Sequence, residues 1–439
     1  MSSKNVDRLS SPLTQDGLAR DFVDKCQTTL RYDHVRGRWF RWNGAVWVED
    51  RTLATFNDIR EYIDLCTETH KLSMRKAAFA RGVEQFALAD QRISVTSEAW
   101  NSDRMLLGTP GGTVNLRDGS MKKADPADLI SKCTSISPAD TADCPRFLQF
   151  LDEVTGGDQE MLAYLQRLSG YAQTGETSEQ ILSFIYGPGG NGKSVFINIF
   201  KGISGSYTEV AAIETLTVSR FDSHPTGLAK LHGARAVVAS ETEEGRNWRV
   251  SLIKQLTGGD PISARYMRQD YFDFVPQFTL IVVGNHAPGF GAIDEAIKRR
   301  IQIVPFDKTP KVVDKSLEEK LKEEWPGILR WMIDGAVNWY REGLSPPQRV
   351  ETATQEYLEQ EYVFGQWLAE CCEINAAGFV PVRNAFLSWK DFAHERNHDP
   401  GNERSFSPKM VKNGFVKTTK SVSRKSTKVW TGLNIVANR

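Results

Sequence analysis

Four stretches of this chain have the residue types and spacing to handle phosphate. The first, Gly187-Pro188-Gly189-Gly190-Asn191-Gly192-Lys193-Ser194, satisfies GxxxxGK[ST]. An apolar run at 181–186 precedes it, and Val195 opens the apolar segment that follows. In a strand–loop–helix of this kind, glycine N–H groups turn toward phosphate oxygens and the helix N-terminus adds positive potential. Lys193 would reach the β- and γ-phosphates of ATP and Ser194 would ligate Mg²⁺, with Val195 counted in the same nucleotide-binding stretch. The bland alternative is a glycine-rich turn with no ligand. It is disfavoured because motif, strand and helix agree in register.

The second stretch, "ARAVVASETEEG" (234–245), is an apolar run that ends on acids. A carboxylate at such a strand end holds Mg²⁺ or polarises the attacking water. Glu241, Glu243 and Glu244 are candidates, and one or two of them can equally be ordinary solvated charge. Glu241 is favoured as the nearest to the strand, with Glu243 as its partner. The third, "QFTLIVVGNHAP" (277–288), ends on Asn285. That residue type can position water against a γ-phosphate, although Gly-Asn is also a common turn. The fourth, "KRRIQIVPF" (298–306), begins with Arg299 and Arg300. These are either surface charge or, as in ring-forming ATPases, an arginine supplied to a neighbour's phosphate site. Between the second and third lies 253–278, where two β-like runs flank Arg268-Gln269-Asp270 and predict a hairpin. Lys254, Arg265 and Arg268, with aromatic neighbours, suit a nucleic-acid backbone.

The elements that must position these groups read as α/β. Strands at 181–186, 235–240, 278–283 and 301–306 alternate with helical connections, which predicts a parallel sheet. Two helices broken at Gly156-Gly157 fill 145–175, and 314–362 is helical, punctuated by "SPPQ" at 345–348. Upstream, 38–50 alternates around Asn43-Gly44 as a hairpin, 55–70 has helical spacing, and 106–120 is rich in turns. Beyond about 363 the composition shifts, with eight Lys/Arg and no Asp or Glu between Arg404 and Lys428. Helical patterns there give way to Gly414 and a strand–loop–strand. Lys409, Lys412, Lys417, Arg424, Lys425 and Lys428 are the candidates to meet phosphates, against the plain reading of a solvated basic tail.

Composition sets the outer bounds. At 439 residues, two or three domains are expected. The formal net charge is zero, so affinity for an anionic polymer must come from local patches. The six cysteines lack CxxC or Cys/His metal spacing, as befits reduced thiols of a cytosolic protein. No apolar run reaches the roughly 18 residues of a membrane span and no signal peptide opens the chain, so a cytoplasmic protein of a cell or infected host is expected.

The loop, "ASETEEG", "IKQLTGGDPISAR", "VVGNHAP" and "KRRIQIVPF", in this order and spacing, resemble the superfamily 3 helicases, specifically the phage and plasmid primase-helicase group that includes poxvirus primase-helicases. The segments "NSDRMLLGTPGGTVNLRDGS" and 145–180 resemble what precedes the loop in that group, so the likeness covers roughly 100 to 306. It implies an AAA+-type parallel-sheet ATPase core over 179–310 with a helical C-terminal part at 311–362. It further implies a mostly helical N-terminal region (1–100) and collar (101–178), and a winged helix at 363–439. ATP and Mg²⁺ would sit between the subunits of a homo-hexamer around DNA. Lys193, Ser194, Glu241 and Asn285 would lie on one side and Arg300, or failing it Arg299, would come from the neighbour. Lys254 and the hairpin of 261–277 would line the channel, and family members move 3′ to 5′ on single strands. Gly284 and Lys298 depart from the group's usual residues beside the asparagine and the arginine pair.

The resemblance therefore implies a replicative helicase of a phage, plasmid or other mobile element. Single-stranded, forked and origin DNA and a separate primase are its candidate partners. Upstream of the loop there is no DxD pair and no zinc-type cysteine cluster, so a primase within this chain is not expected. The alternative is an ATP-binding initiator that recognises and melts origin DNA without processive unwinding. A small-molecule kinase would have no use for the hairpin or the basic tail.

Overall fold

The computed structural model describes residues 13–66, 72–218, 226–241, 247–268, 270–290, 293–310, 314–396, 398–422 and 425–436. The chain divides into two compact units, Met1–Pro138 and Ala139–Arg439.

In the first unit, helix α1 (Gln15–Cys26) is capped by the Thr14 hydroxyl, which accepts from the Gly17 N–H. Strands β1 (Leu30–Asp33), β2 (Arg38–Trp42) and β3 (Trp47–Glu49) follow, then α2 (Ala54–Cys66), α3 (Ala77–Leu88) and β4 (Ser94–Val95). The strands form a sheet in the order β3-β2-β1-β4, and the Asn43-Gly44 segment is indeed the turn between β2 and β3. Apolar faces of the three helices close over it through Leu18, Val23, Ile59 and Val83. Asp33 is fully buried and satisfied by the Ser97 hydroxyl, the Trp100 indole N–H and the N–H groups of Val35 and Arg36. A three-stranded meander, β5 (Leu106–Thr109), β6 (Gly112–Asn115) and β7 (Met121–Lys122), completes the unit. Helix outweighs strand in residues 13–100, in keeping with the expected mostly helical N-terminal region, and the two small sheets are what that expectation left out. Short strands separated by tight turns leave little periodicity to read, and those at 106–122 belong with the first unit.

The second unit opens with α4 (Pro145–Thr155) and α5 (Gln159–Thr174), divided by left-handed Gly156. The Glu324 carboxylate accepts from the N–H groups of Arg146 and Phe147, filling the donors at the start of α4. Then come β8 (Leu182–Tyr186), α6 (Lys193–Ser204), β9 (Thr208–Val210), α7 (Ile213–Leu216), α8 (Thr226–Ala229), β10 (Ala236–Glu241) and α9 (Val250–Gly258). The hairpin β11 (Ile262–Arg265) and β12 (Tyr271–Phe274) precedes β13 (Thr279–Gly284), α10 (Glu295–Lys298) and β14 (Ile301–Pro305). A parallel five-stranded sheet results, in the order β14-β8-β13-β10-β9. Its strands are continuous apolar runs because helices cover them; every residue of β13 is buried.

Helices α11 (Leu317–Glu323), α12 (Trp325–Glu342) and α13 (Gln348–Cys371) follow. The last runs straight through the boundary expected near 362. After it, β15 (Cys372–Pro381), α14 (Val382–Glu395), α15 (Glu403–Lys412), β16 (Val416–Val422) and β17 (Lys425–Ile435) form an antiparallel sheet, β15-β17-β16, backed by the two helices. Among the described residues no helix is long and apolar enough to cross a membrane, and no cluster of three metal-ligating side chains occurs.

Helices α5 and α12 meet through glycine. A Cβ on Gly170 would fall on the backbone of Met332, Gly335 and Ala336, and one on Gly335 would fall on the Gln166 carbonyl. Backbone cannot step aside as a side chain can. Gly170→Ala should therefore cost about 3 kcal/mol, the upper end for overpacking, in a denaturant titration; a change under about 0.5 kcal/mol would refute this packing.

Candidate nucleotide site and basic surfaces

Register brings the predicted groups together. Tyr186 pairs with Gly284, and Gly284 with Glu241, so β8, β13 and β10 end side by side. The glycine loop leaves the first, Asn285 follows the second, and Glu241 is the last residue of the third. Asn285 is exposed at this edge. Glu241 is placed by its backbone alone, and Glu243, Glu244 and Arg424 lie outside the described residues.

The loop is held by side chains that the motif does not name. Asn191, 1% exposed, donates through Nδ2 to the Phe306 carbonyl, and the Phe306 N–H donates to the Tyr186 carbonyl at 2.7 Å. The end of β14 is thereby tied to both ends of the loop. Gly187 packs so close to the Phe306 carbonyl that no Cβ could be added. Gly192 has a φ of +83°, and a Cβ there would stand 2.7 Å from both Phe150 and Val154 of α4. Gly189 and Gly190, by contrast, are exposed, and a Cβ on either would meet nothing.

Lys193 is the first residue of α6 and is 5% exposed. Its Nζ donates to the carbonyls of Gly187 at 2.7 Å and Pro188 at 3.0 Å, and to Asn191 Oδ1 at 2.7 Å. Burial pushes its pKa down. All three acceptors are neutral, so the ammonium carries an uncompensated positive charge at a helix N-terminus beside open glycine backbone. Ser194 is exposed next to it, and Val195 half-buried. This arrangement fits a nucleotide's phosphates, with Ser194 free to meet a cation they bring.

The arginine pair is split between inside and outside. Arg300, 7% exposed, donates to Thr257 Oγ1 at 3.1 Å, the Ala296 carbonyl at 2.7 Å and Gln180 Oε1 at 3.4 Å. Arg299 is exposed. Both stand at the start of β14, the opposite end of the sheet from the glycine loop.

The predicted cationic residues also divide. The hairpin forms as expected, with its Arg268 exposed and in the left-handed region at φ +62°. Arg265 lies 5.0 Å over the Tyr271 ring, and Tyr266 stacks on Phe272. Lys254, however, is paired with Asp294. On the ribbon of β16 and β17, Lys417, Lys425 and Lys428 are exposed. By register Lys417 and Lys428 share one face, and Lys420 and Lys425 the other. Lys409 and Lys412 do not join them. Lys412 pairs with Glu361 at 3.4 Å with both side chains nearly buried, and Lys409 sits 5.2 Å from the Trp389 ring, where burial pushes its pKa down. Both line a cavity of about 660 Å³ that also takes in Gly187, Pro188, His286 and Arg349. Helical periodicity around α15 gave no means of telling which cations turn inward.

Residues 19–156 match the family described as "D5 N terminal like", and 185–300 match a family of unknown function (DUF5906). Curated relatives are a "Putative helicase" of Acanthamoeba polyphaga mimivirus, 26% identical over 62% of this chain and 31% of the relative, and one of Frog virus 3, 24% identical over 54% and 27%. A third, from Invertebrate iridescent virus 6, is 27% identical over 53% and 25%. The match thus spans about a third or less of the length of these relatives. Among solved structures, the apo C-terminal region of NrS-1 aligns over 98% of this chain and 100% of that one, with 9% identity and a TM-score of 0.46. A D5-like N-terminal segment ahead of the glycine loop, and viral helicases by name among the relatives, make the chain similar to the D5-like primase-helicases.

Proposed function

We propose that this protein is an ATP-dependent DNA helicase of a phage, plasmid or other mobile element, acting as a ring. The observation that carries the reading is the shared edge of β8, β13 and β10, where the glycine loop, Glu241 and Asn285 emerge together. The loop N–H groups, Lys193 and Ser194 would hold ATP, and Ser194 with Glu241 would hold Mg²⁺. Bound there, the nucleotide supplies a phosphoanhydride whose hydrolysis releases the energy for movement along DNA. Lys193 exchanges its three carbonyl acceptors for phosphate oxygens, a stronger charge-assisted pairing. Glu241 takes the proton of the attacking water, Glu243 is its partner by sequence, and Asn285 orients that water.

A neighbouring subunit in a hexamer completes the site with an arginine. Arg299 takes this role in preference to Arg300, whose guanidinium is already held by three hydrogen bonds inside its own subunit. The β11–β12 hairpin carries Arg265, Arg268 and exposed Tyr266, Met267 and Tyr271, a combination suited to single-stranded DNA passing through the ring, 3′ to 5′. Residues 363–439 read as a winged helix, with Lys417, Lys425 and Lys428 of the wing meeting the phosphodiester backbone. A separate primase is a proposed partner.

A strand-displacement assay on forked DNA tests the whole. The wild type should separate strands with ATP, and Lys193→Ala should reduce hydrolysis and unwinding by at least ~100-fold, in line with loss of a main phosphate contact. If the wild type hydrolyses ATP and binds origin DNA but never separates strands, the initiator reading takes its place.

The two arginines give a sharper contrast. Arg300→Ala should lower stability by about 3 kcal/mol, since buried Thr257 and the half-buried Ala296 carbonyl and Gln180 side chain lose a charged donor. Arg299→Ala should melt within a degree or two of wild type, because exposed substitutions seldom exceed about 0.5 kcal/mol, yet should bind ATP without hydrolysing it. Normal turnover in Arg299→Ala would remove it from the mechanism.

A further inference from the structure

Helix α13 belongs to two cores at once. Its first half packs Ala353, Tyr357 and Leu358 against the core of the parallel sheet. Its second half gives Phe364, Trp367 and Cys371 to the core of the C-terminal sheet. The helix is unbroken for 24 residues, about 36 Å at the usual rise.

One face of this helix carries Thr354, Tyr357 and Glu361, at helical spacing; Thr354 is bonded to the middle of β14, and Tyr357 and Glu361 to the segments that follow β10 and β13. Thr354 Oγ1 accepts from the Ile303 N–H of β14 at 2.8 Å. The Tyr357 hydroxyl donates to the Pro288 carbonyl and accepts from the Trp248 indole N–H at 3.1 Å. Pro288 lies three residues beyond Asn285, and Trp248 lies on the segment that follows β10. Glu361 Oε2 accepts from the Phe290 N–H at 3.4 Å while its other oxygen pairs with Lys412 of α15. Asn247 Nδ2 donates to the Lys412 carbonyl at 3.0 Å, and Gly289 is so enclosed that a Cβ would stand 2.9 Å from Glu361 Oε2. Packing alone would be served by apolar side chains here. A hydroxyl that both donates and accepts instead fixes two loops relative to each other.

We propose that α13 is a coupling strut between the nucleotide site and the C-terminal domain, in which Tyr357 is the positioning residue for the segments after β10 and β13, and Glu361 passes their displacement to α15 through Lys412. This rests on the nucleotide reading of the glycine loop. A shift of Asn285 or Glu241 on nucleotide binding moves the 247–248 and 288–290 segments, and the rigid helix carries that shift to the domain that presents the basic ribbon.

Amide hydrogen exchange on the full chain, with and without a non-hydrolysable ATP analogue and Mg²⁺, tests this on wild type, Tyr357→Phe and Glu361→Gln. In the wild type the analogue should protect 187–194 and also change exchange in 403–412. Tyr357→Phe should keep the first response and lose the second. Its kcat for ATP should fall ~10-fold with KM held within ~2-fold, as expected when two hydrogen bonds that orient catalytic groups are lost. Glu361→Gln keeps an acceptor for Phe290 but not the negative charge that pairs with Lys412. It should retain turnover and lose the 403–412 response, and it carries the test if Tyr357→Phe does not fold. Protection of 187–194 with an unaltered 403–412 response in both variants would overturn the strut. Absence of protection at 187–194 in the wild type would instead overturn the nucleotide reading, and the strut with it.

Discussion

Everything about the candidate site depends on parallel pairing in register across the middle of one sheet. Because β8, β13 and β10 run the same way and stop at the same level, three chain segments far apart in sequence must leave the sheet at one edge. A slip of one residue would turn Glu241 to the other face of the sheet and move Asn285 along the edge. The register is secured by burial on both faces, where a shifted β13, buried at all six positions, would leave apolar groups unmatched. β14 adds a second fixing point, since Phe306 beyond its end is hydrogen-bonded to Tyr186 on one side and to Asn191 of the loop on the other. The loop is therefore shaped by its neighbouring strand as much as by its own glycines.

A consequence is that Lys193 need not be rebuilt to become useful. Buried among neutral oxygens, the ammonium has satisfied hydrogen bonds but no counter-charge. An anion arriving at the helix N-terminus supplies that charge, and the carbonyls that release the lysine face no opposite charge to hold it. Asn191 has two functions, since one end of its amide holds the lysine and the other holds β14. The GxxxxGK[ST] pattern leaves that position open, so only the three-dimensional arrangement reveals it.

The strands of the parallel sheet were legible because buried β-strands are uninterrupted apolar runs; all four expected strands lie within a residue or two of their observed bounds. The short edge strand β9, Thr208–Val210, was not, since three residues with an exposed end give no pattern. The break at Gly156-Gly157, the 38–50 hairpin and the hairpin at Arg268 were legible for a different reason, namely that turn chemistry is local. What depends on contacts distant in sequence was hidden. Arg299 and Arg300 are adjacent and chemically equal, and only Thr257 and Gln180, 43 and 120 residues from Arg300, decide that one turns inward. The polar face of α13 was hidden in the same way, because Thr354, Tyr357 and Glu361 read as ordinary solvent-facing residues until their partners are known.

The zero net charge of the chain bears on how its cations are used. Eight lysines and arginines between Arg404 and Lys428 look like one uniform basic surface in sequence, but they serve two ends. Lys412 is committed to Glu361, and Lys409 lies against aromatic rings in the cavity shared with Gly187 and Pro188. Lys417, Lys420, Lys425 and Lys428 lie on β16 and β17, whose alternation places two on each face. Lys417 and Lys420 lie over the Trp430 and Phe379 rings, while Lys425 and Lys428 stand beyond the last pairing of β17 with β15 at Val429. The inward pair instead fastens α15 to the same helix that braces the strand ends. The division of one basic segment into a fastening on α15 and exposed lysines on β16 and β17 lets a chain of zero net charge hold its C-terminal sheet to α13 and still present positive charge to solvent.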